Sequence, residues 1–99
     1  MDYKIVWSDR GLSHFEDIVS FISADSPPAA RKVAETIIRK TGLLSQHPRL
    51  GKMFAKLERE DVRETPAPPY RIIYQVIDDA KIVSIVAIWH GAREEPELL

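Results

Sequence analysis

Two adjoining apolar runs in the C-terminal third of the chain constrain its fold more than any other feature. Residues 70–77 read YRIIYQVI and residues 82–89 read IVSIVAIW, and a short polar link, DDAK, joins them. Runs dense in β-branched and aromatic residues with so short a connection predict an antiparallel β-hairpin. Neither run alternates cleanly between apolar and polar residues, so both faces of the hairpin must be covered. We therefore expect the hairpin at the centre of a sheet, with the earlier segments as its cover.

The composition is typical of one small globular domain, which we expect to span residues 1–99. Hydrophobic residues make up 44% and charged residues 29%, and no apolar run approaches the ~18 residues that a membrane span needs. The first four residues, MDYK, lack the basic and apolar segments of a secretory signal, and the chain has no cysteine. These features predict a cytoplasmic protein.

The charge is distributed unevenly along the chain. Residues 1–30 and residues 72–99 each carry two basic and five acidic side chains, a net charge of −3. Residues 31–71 carry ten basic and five acidic side chains, a net charge of +5. A basic middle can attract an acidic partner. The alternative is that these charges form the solvated faces of a helix and a loop.

The N-terminal part of the chain predicts a strand and two helices. Residues 3–7 alternate as a half-buried strand does, and Ser8 or Asp9 can cap a helix over residues 9–24. Pro27 and Pro28 break that helix and begin a second one, near residues 27–46. The apolar stripes at three- and four-residue spacing are Leu12, Phe15, Ile18, Val19 and Ile22 in the first helix, and Ala30, Val33, Ala34, Ile37, Ile38, Thr41 and Leu44 in the second. The two helices should form an antiparallel pair packed on the sheet.

The whole pattern predicts an α+β fold: an N-terminal strand, an antiparallel helix hairpin, then three antiparallel strands. The last three strands are expected near residues 61–65, 70–77 and 81–89. The first of these should end before Pro66, because proline cannot donate to a ladder. Residues 53–61 read as a loop or a short helical turn, and the segment after Trp89 as an irregular tail. The predicted core includes Ile5, Phe15, Ile18, Ile22, Val33, Ile37, Ile73 and Ile85.

Several residues within these elements occur in a familiar order. They are Ser8, Ala30, His47-Pro48 with Gly51 after it, Arg63, the run Tyr70-Arg71-Ile72-Ile73-Tyr74, and His90-Gly91-Ala92-Arg93. Together with the element order β-α-α-β-β-β, they resemble the ParE/RelE superfamily of bacterial toxin–antitoxin toxins over almost the whole chain. The resemblance implies a toxin of a type II system, or plasmid stabilisation protein, that a cognate antitoxin neutralises. It implies no cofactor, and the three histidines show no metal-ligand spacing.

The superfamily divides into two functional branches. RelE-like members are ribosome-dependent endoribonucleases that activate a 2′-hydroxyl of messenger RNA against the adjacent phosphate. That reaction needs a base for the hydroxyl, a cation for the phosphorane and an acid for the leaving 5′-oxygen. ParE-like members resemble them in fold but bind DNA gyrase, so they need a recognition surface rather than a catalytic set.

For the nuclease branch, the candidate catalytic residues are Arg63, Arg71 and His90, with Arg93 and Lys52 as further candidates. The alternative for Arg63, Arg93 and Lys52 is a surface or salt-bridged role. Arg71 could clamp a phosphate bidentately, and His90 titrates close to neutral pH without help. Each also has a structural alternative. Arg71 could pair with Glu64 or Asp61 across the sheet, and His90 could bond to backbone at a strand end.

Two features favour the ParE-like branch. Many RelE-like enzymes carry a tyrosine just after the last strand, whereas residues 89–95 here read WHGAREE. A ribosome-bound enzyme also gains affinity from phosphate contacts, which favour a strongly basic protein, and this chain has a net charge of −1. The leading hypothesis is therefore a gyrase-binding toxin. The alternatives are a ribosome-dependent nuclease and a non-toxic antitoxin-binding protein.

The antitoxin-binding surface is expected to be basic and partly apolar. The candidate partner-binding residues are Arg31, Arg39, Lys40 and Arg93. In the family, the antitoxin folds on the toxin as it binds, which requires exposed apolar grooves. The outer side of the helix pair and the edge strand at residues 3–7 are candidates, although Trp7 could instead be ordinary core.

Overall fold

The computed structural model describes residues 2–91, which form a mixed five-stranded sheet and two helices. The elements are β1 (Lys4–Trp7), α1 (Asp9–Asp25), α2 (Pro27–Leu43), β2 (Lys52–Phe54), β3 (Arg59–Ala67), β4 (Tyr70–Ile77) and β5 (Ile82–His90). The strand order is β1-β5-β4-β3-β2. The β4–β5 hairpin therefore lies at the centre, and the predicted α+β architecture is confirmed.

The neighbouring strands β2 to β5 pair antiparallel, and β1 lies parallel to β5, with Lys4 opposite Ile82 and Trp7 opposite Ile85. A parallel β1 is possible because the two helices lie between it and the later strands in sequence. The β4–β5 register shifts between Ile73 and Tyr74, whose partners are Ala87 and Ile85. One extra residue of β5 lies in this bulge, so the strand's later side chains change faces.

Both helices begin at serine caps. The Ser8 hydroxyl oxygen accepts from the Gly11 N–H at 3.0 Å, and the Ser26 oxygen accepts from the Ala29 N–H at 3.3 Å. These bonds give a partner to backbone N–H groups of the first turn, which have no acceptor within the helix. Pro27 begins α2, where its missing N–H costs no helical bond. Helix α2 ends at Leu43, three residues before the predicted end, because Leu44 caps it with turn-like bonds.

The sheet separates two apolar clusters. Both helices cover the first, which we call the helix-side cluster; its buried residues are Ile37, Leu44, Ala67, Ile72, Tyr74, Val76, Val83, Ile85 and Ile88. The opposite cluster consists of Phe54, Val62, Ile73 and Ala87, with Leu57 and Val86 packed against it. Two-sided burial of the hairpin is thus confirmed, and the second face is covered by β2 and the turn after it rather than by a helix.

Most of the predicted core residues contribute to these clusters. Ile37, Ile73 and Ile85 are fully buried, while Ile5, Phe15, Ile18 and Val33 are half-buried against the helix-side cluster. Ile22 is also half-buried. The Trp7 ring packs edge-on against Phe15 at 5.3 Å between centroids, so the core interpretation of Trp7 is the correct one.

Two boundary predictions are wrong. The segment predicted as a loop or helical turn contains the short strand β2, and β3 runs from Arg59 through Pro66 to Ala67 instead of ending before the proline. The β2–β3 pairing begins at Glu64 and runs back to Arg59. Beyond Glu64, β3 pairs only with β4, and proline is tolerated where one edge of a strand is unpaired.

Within residues 2–91, neither helix is both long enough and apolar enough to cross a membrane. The predicted irregular tail after Gly91 lies outside the described residues.

Candidate functional site

The three candidate catalytic residues do not lie together on one face of the sheet. Arg63 is opposite Tyr74, which belongs to the helix-side cluster. Arg71 is opposite Pro66, and alternation along β3 puts that pair on the other face. The sheet itself therefore separates the two guanidinium groups.

His90 returns to the helix side but at the far end of the hairpin. It pairs with Tyr70, and the two rings meet edge-on at 5.5 Å between centroids. Tyr70 is four residues along β4 from Tyr74, the partner of Arg63, which corresponds to about 13 Å. The base candidate therefore lies at a distance from one cation candidate and on the opposite face from the other.

The Arg63 guanidinium is bound within the fold. Its side chain is 15% exposed, and it donates to the Gly51 carbonyl oxygen at 2.9 Å, to the Glu60 carbonyl oxygen at 3.1 Å and to Glu60 Oε1 at 3.2 Å. Arg49 and Arg63 together lower the pKa of the Glu60 carboxyl, with the Arg49 hydrogen bond as the larger cause. Arg63 thus connects the loop after α2 to β3.

Arg71 forms an ion pair on the face away from the helices. Its Nη1 donates to Glu64 Oε1 at 3.1 Å, and the Glu64 side chain is only 8% exposed. A carboxylate buried to this extent needs a cationic partner. The pairing of Arg71 with Glu64, one of the two structural alternatives, is therefore what the structure shows, while Asp61 instead accepts from Arg59 at 2.7 Å.

The basic residues of α2 are accessible but do not form one cluster. Arg31 and Arg39 are exposed and Lys40 is half-buried. At about 100° per residue, Arg31 and Lys40 lie on roughly opposite sides of the helix, with Arg39 and Lys32 between them. Within residues 2–91 the structure gives none of these four cations an ion pair. Lys52 is exposed on the edge strand β2, and Arg93 lies outside the described residues.

A groove between α1 and the end of β5 was not predicted from the sequence. It has a volume of about 520 Å³, and its lining includes His14, Phe21, Tyr70, Trp89 and His90. Phe21 is 82% exposed, the most exposed large apolar side chain among the described residues. The sequence did contain one indication of this surface. Phe21 lies outside the apolar stripe of α1, and an exposed phenylalanine often marks a contact surface.

Arg49 forms an ion-pair network that the sequence did not reveal. Its Nη2 donates to Asp78 Oδ2 at 2.7 Å and its Nε donates to Glu60 Oε1 at 2.9 Å. The Tyr3 hydroxyl also donates to Asp78 at 2.5 Å. The hydrogen bonds from Arg49 and then Tyr3 lower the pKa of Asp78 to about 2. Among residues 2–91 no group of three or more histidine and acidic side chains is arranged to hold a metal ion.

Comparisons with known proteins agree with this architecture. The family model described as "ParE toxin of type II toxin-antitoxin system, parDE" matches residues 5–95. Toxin RelE2 of Caulobacter vibrioides is 34% identical over 90 residues, which cover 91% of this chain and 97% of that protein.

Solved structures share the fold at lower identity. The chromosomal ParDE toxin–antitoxin system from P. aeruginosa superposes with a TM-score of 0.71 at 19% identity, over 89% of this chain and 95% of the matched chain. The isolated E. coli RelE toxin superposes with a TM-score of 0.69 at 22% identity, over 94% of this chain and 88% of that one. On the family match and the Caulobacter relative, this chain belongs to the ParE toxin family of type II toxin–antitoxin systems, within the ParE/RelE superfamily.

Proposed function

We propose that this protein is a toxin that inhibits DNA gyrase by binding it, without catalysing a reaction, and that a cognate antitoxin neutralises it. The observation that carries the proposal is the separation of the candidate catalytic residues. RNA cleavage needs a base and a phosphate-binding cation within reach of the same phosphodiester. Here Arg63 and Arg71 are on opposite faces, and His90 lies about 13 Å along the sheet from Arg63 and on the opposite face from Arg71.

The hydrogen bonds and ion pairs that the two arginines already form support the same proposal. Arg63 donates to Gly51 and Glu60, and Arg71 pairs with a buried Glu64. A guanidinium that already neutralises a buried carboxylate would leave that charge uncompensated if it moved to a phosphate. Both side chains are therefore better suited to holding the sheet together than to stabilising a phosphorane.

A recognition surface is available at the groove beside α1. The exposed ring of Phe21 is the type of aromatic anchor that dominates binding energy in protein interfaces. Because this side chain contributes little to the core, its substitution separates binding from folding. We propose that Phe21 contacts gyrase.

The antitoxin proposal rests on the cations of α2 and on the family. The P. aeruginosa structure is that of a ParDE toxin–antitoxin system. Arg31, Arg39 and Lys40 could meet acidic residues of a small antitoxin encoded beside this chain. This antitoxin would bind the toxin before the toxin reaches gyrase.

The test adds the purified protein to a gyrase supercoiling assay and, separately, to a ribosome-dependent translation assay. We expect inhibition of supercoiling and no cleavage of messenger RNA. Cleavage of messenger RNA with unaffected supercoiling would establish the RelE-like alternative. If neither assay responds while an antitoxin still binds, the chain is a non-toxic antitoxin-binding protein.

Two variants sharpen the supercoiling assay. Phe21→Ser should weaken inhibition of gyrase by ~10-fold or more, since hot-spot aromatic residues contribute on the order of 2 kcal/mol. Leu50→Ser removes another exposed apolar side chain, 55% exposed, from a loop after α2 and is the matched control. Equal loss of inhibition in both variants would argue against a specific role for Phe21.

A further inference from the structure

Helix α1 packs against the edge of β5 through Ser8, Gly11 and His14, which follow one another at intervals of three residues. The Ser8 hydroxyl donates to the Ile85 carbonyl oxygen at 2.9 Å. A Cβ on Gly11 would overlap the same oxygen, so the helix backbone itself approaches the strand there. One further turn along, His14 Nδ1 accepts from the Ile88 backbone N–H at 3.2 Å.

His14 replaces a missing strand at this edge. Strand β1 ends at Trp7, opposite Ile85, and Ile88 lies three residues beyond that last pair. Its N–H therefore needs an acceptor from outside β1, and the imidazole supplies it. A histidine nitrogen accepts only when it carries no proton, so His14 must be neutral with its proton on Nε2.

We propose that His14 is a pH-sensitive latch that fixes the second turn of α1 to the end of β5 and releases it on protonation. A protonated imidazole donates from both nitrogens. Nδ1–H would then face the Ile88 N–H, and the hydrogen bond between helix and strand would be replaced by a donor–donor contact. The bonds of Ser8 contain no group that titrates near neutral pH, so the start of α1 stays in place.

The surroundings of His14 favour the neutral ring at neutral pH. Burial is the largest cause that lowers its pKa below the ordinary 6.5, and the positive charge of Arg10 lowers it further, whereas Asp17 raises it. The other titratable groups around the groove are His90 on β5 and Tyr70 on β4. Because the folded pKa is lower than the unfolded one, the latch is closed above about pH 6.5 and weakens as the pH falls below that value.

Release of the latch acts on the groove beside α1. His14 lines that groove together with Phe21 and Trp89, and the His14 and Trp89 rings lie 6.1 Å apart between centroids. If α1 separates from β5 beyond Ile85, the distance between these aromatic side chains increases. Acidification would thus alter the shape of the apolar surface without unfolding the sheet.

The experiment is amide hydrogen exchange by NMR on the full chain between pH 7.5 and pH 5, corrected for intrinsic exchange. We expect protection of the Ile88 amide to fall by ~10-fold or more as His14 protonates, since the amide loses its acceptor. The amides of β4 should keep their protection. The imidazole resonances of His14 measured in the same samples should give a pKa below 6.5.

Two histidine variants distinguish the latch from a general effect of acid. His14→Asn places a non-titrating acceptor oxygen, Oδ1, where the imidazole has Nδ1, so Ile88 protection should become independent of pH over this range. His90→Gln removes the other imidazole that lines the groove and should leave the fall in protection unchanged. Constant Ile88 protection in the parent, or an equal fall in His14→Asn, would overturn the proposal.

Discussion

The hydroxyl oxygen of Tyr74 accepts a hydrogen bond from the backbone N–H of Gly51 at 2.8 Å, which joins the loop after α2 to the centre of the sheet. The carbonyl oxygen of Gly51 is also bound, by Arg63 Nη1 at 2.9 Å. A Cβ at position 51 would overlap the Glu64 carbonyl oxygen. Only glycine fits between β3 and the tyrosine hydroxyl, and Gly51 thereby contacts two other residues of the sequence pattern, Arg63 and Tyr74.

Removal of the Tyr74 hydroxyl should destabilise the fold. Tyr74 is fully buried, and burial raises the pKa of its hydroxyl. Tyr74→Phe leaves the Gly51 N–H without its acceptor, so we expect a loss of about 1–3 kcal/mol in the free energy of unfolding. Chemical denaturation measures this value. Tyr70→Phe is the matched control and should change stability by less; equal losses would show that the Gly51 bond contributes nothing specific.

Two helical glycines should respond oppositely to alanine. A Cβ at Gly42 would have nothing within 4 Å, so Gly42→Ala should stabilise by about 0.5–1 kcal/mol through helix propensity. Gly11→Ala gains the same propensity but drives its Cβ into the Ile85 carbonyl oxygen, and should destabilise by roughly 1–3 kcal/mol. Thermal unfolding of both variants measures the two effects. Stabilisation by Gly11→Ala would mean that α1 is not fixed on β5 as described.

The fold was predictable from sequence to the extent that local patterns determine it. Ser8, Pro27 and the apolar runs each act on their own neighbours, so their elements appear where the sequence indicates them. Strand β2 has only three residues and depends on pairing with β3. A strand of three residues is too short to show an alternating pattern of apolar and polar residues in the sequence.

The placement of the candidate site residues could not be predicted from local sequence patterns either, because it depends on the β-bulge in β5. Ile85 and Ile88 both face the helices although they are three residues apart, because the bulge adds one residue between them. Strict alternation would have put His90 on the opposite face. No glycine or proline occurs within β5 to signal the bulge, so the separation of His90 from Arg71 appears only in the structure.

Acid should destabilise the protein partly through Asp78. Hydrogen bonds from Arg49 and then from Tyr3 lower its pKa from 3.8 to about 2. Because the folded pKa is below the unfolded one, this stabilisation is present above about pH 4 and is lost as the pH falls towards 2. Asp78→Asn should therefore show a shallower decrease of Tm between pH 5 and pH 2 than the parent. Asp79→Asn, in the same turn, is the control, and identical slopes for the parent and Asp78→Asn would refute the assignment.

Charge reversal on α2 should slow association with the antitoxin. Replacing Arg31, Arg39 and Lys40 together by glutamate reverses the cations proposed to attract acidic residues, and electrostatic steering acts mainly on the association rate. We expect a reduction of ~10-fold or more at low salt that shrinks at high salt. Glutamate at Lys52, Lys56 and Lys81 changes the net charge equally elsewhere and serves as the control. Equal association rates for the parent and the α2 variant at low salt would remove the electrostatic argument.

The last prediction separates binding from catalysis at the candidate nuclease residues. His90→Ala should leave growth inhibition largely intact, because a gyrase binder uses no proton-transfer group. In a nuclease the same change would lower cleavage by ~10²-fold or more.

Arg71 requires a double variant, since Arg71→Ala alone would leave the Glu64 carboxylate, whose side chain is 8% exposed, without its cation. Arg71→Met combined with Glu64→Gln removes the cation and the buried charge together, so the sheet can be retained while any phosphate contact is lost. We expect this variant, once circular dichroism shows it to be folded, to inhibit growth and supercoiling as the parent does. If the parent cleaves messenger RNA and both His90→Ala and the double variant lose this cleavage, the proposal is wrong. His90 and Arg71 would then both belong to a nuclease active site, although they lie on opposite faces of the sheet.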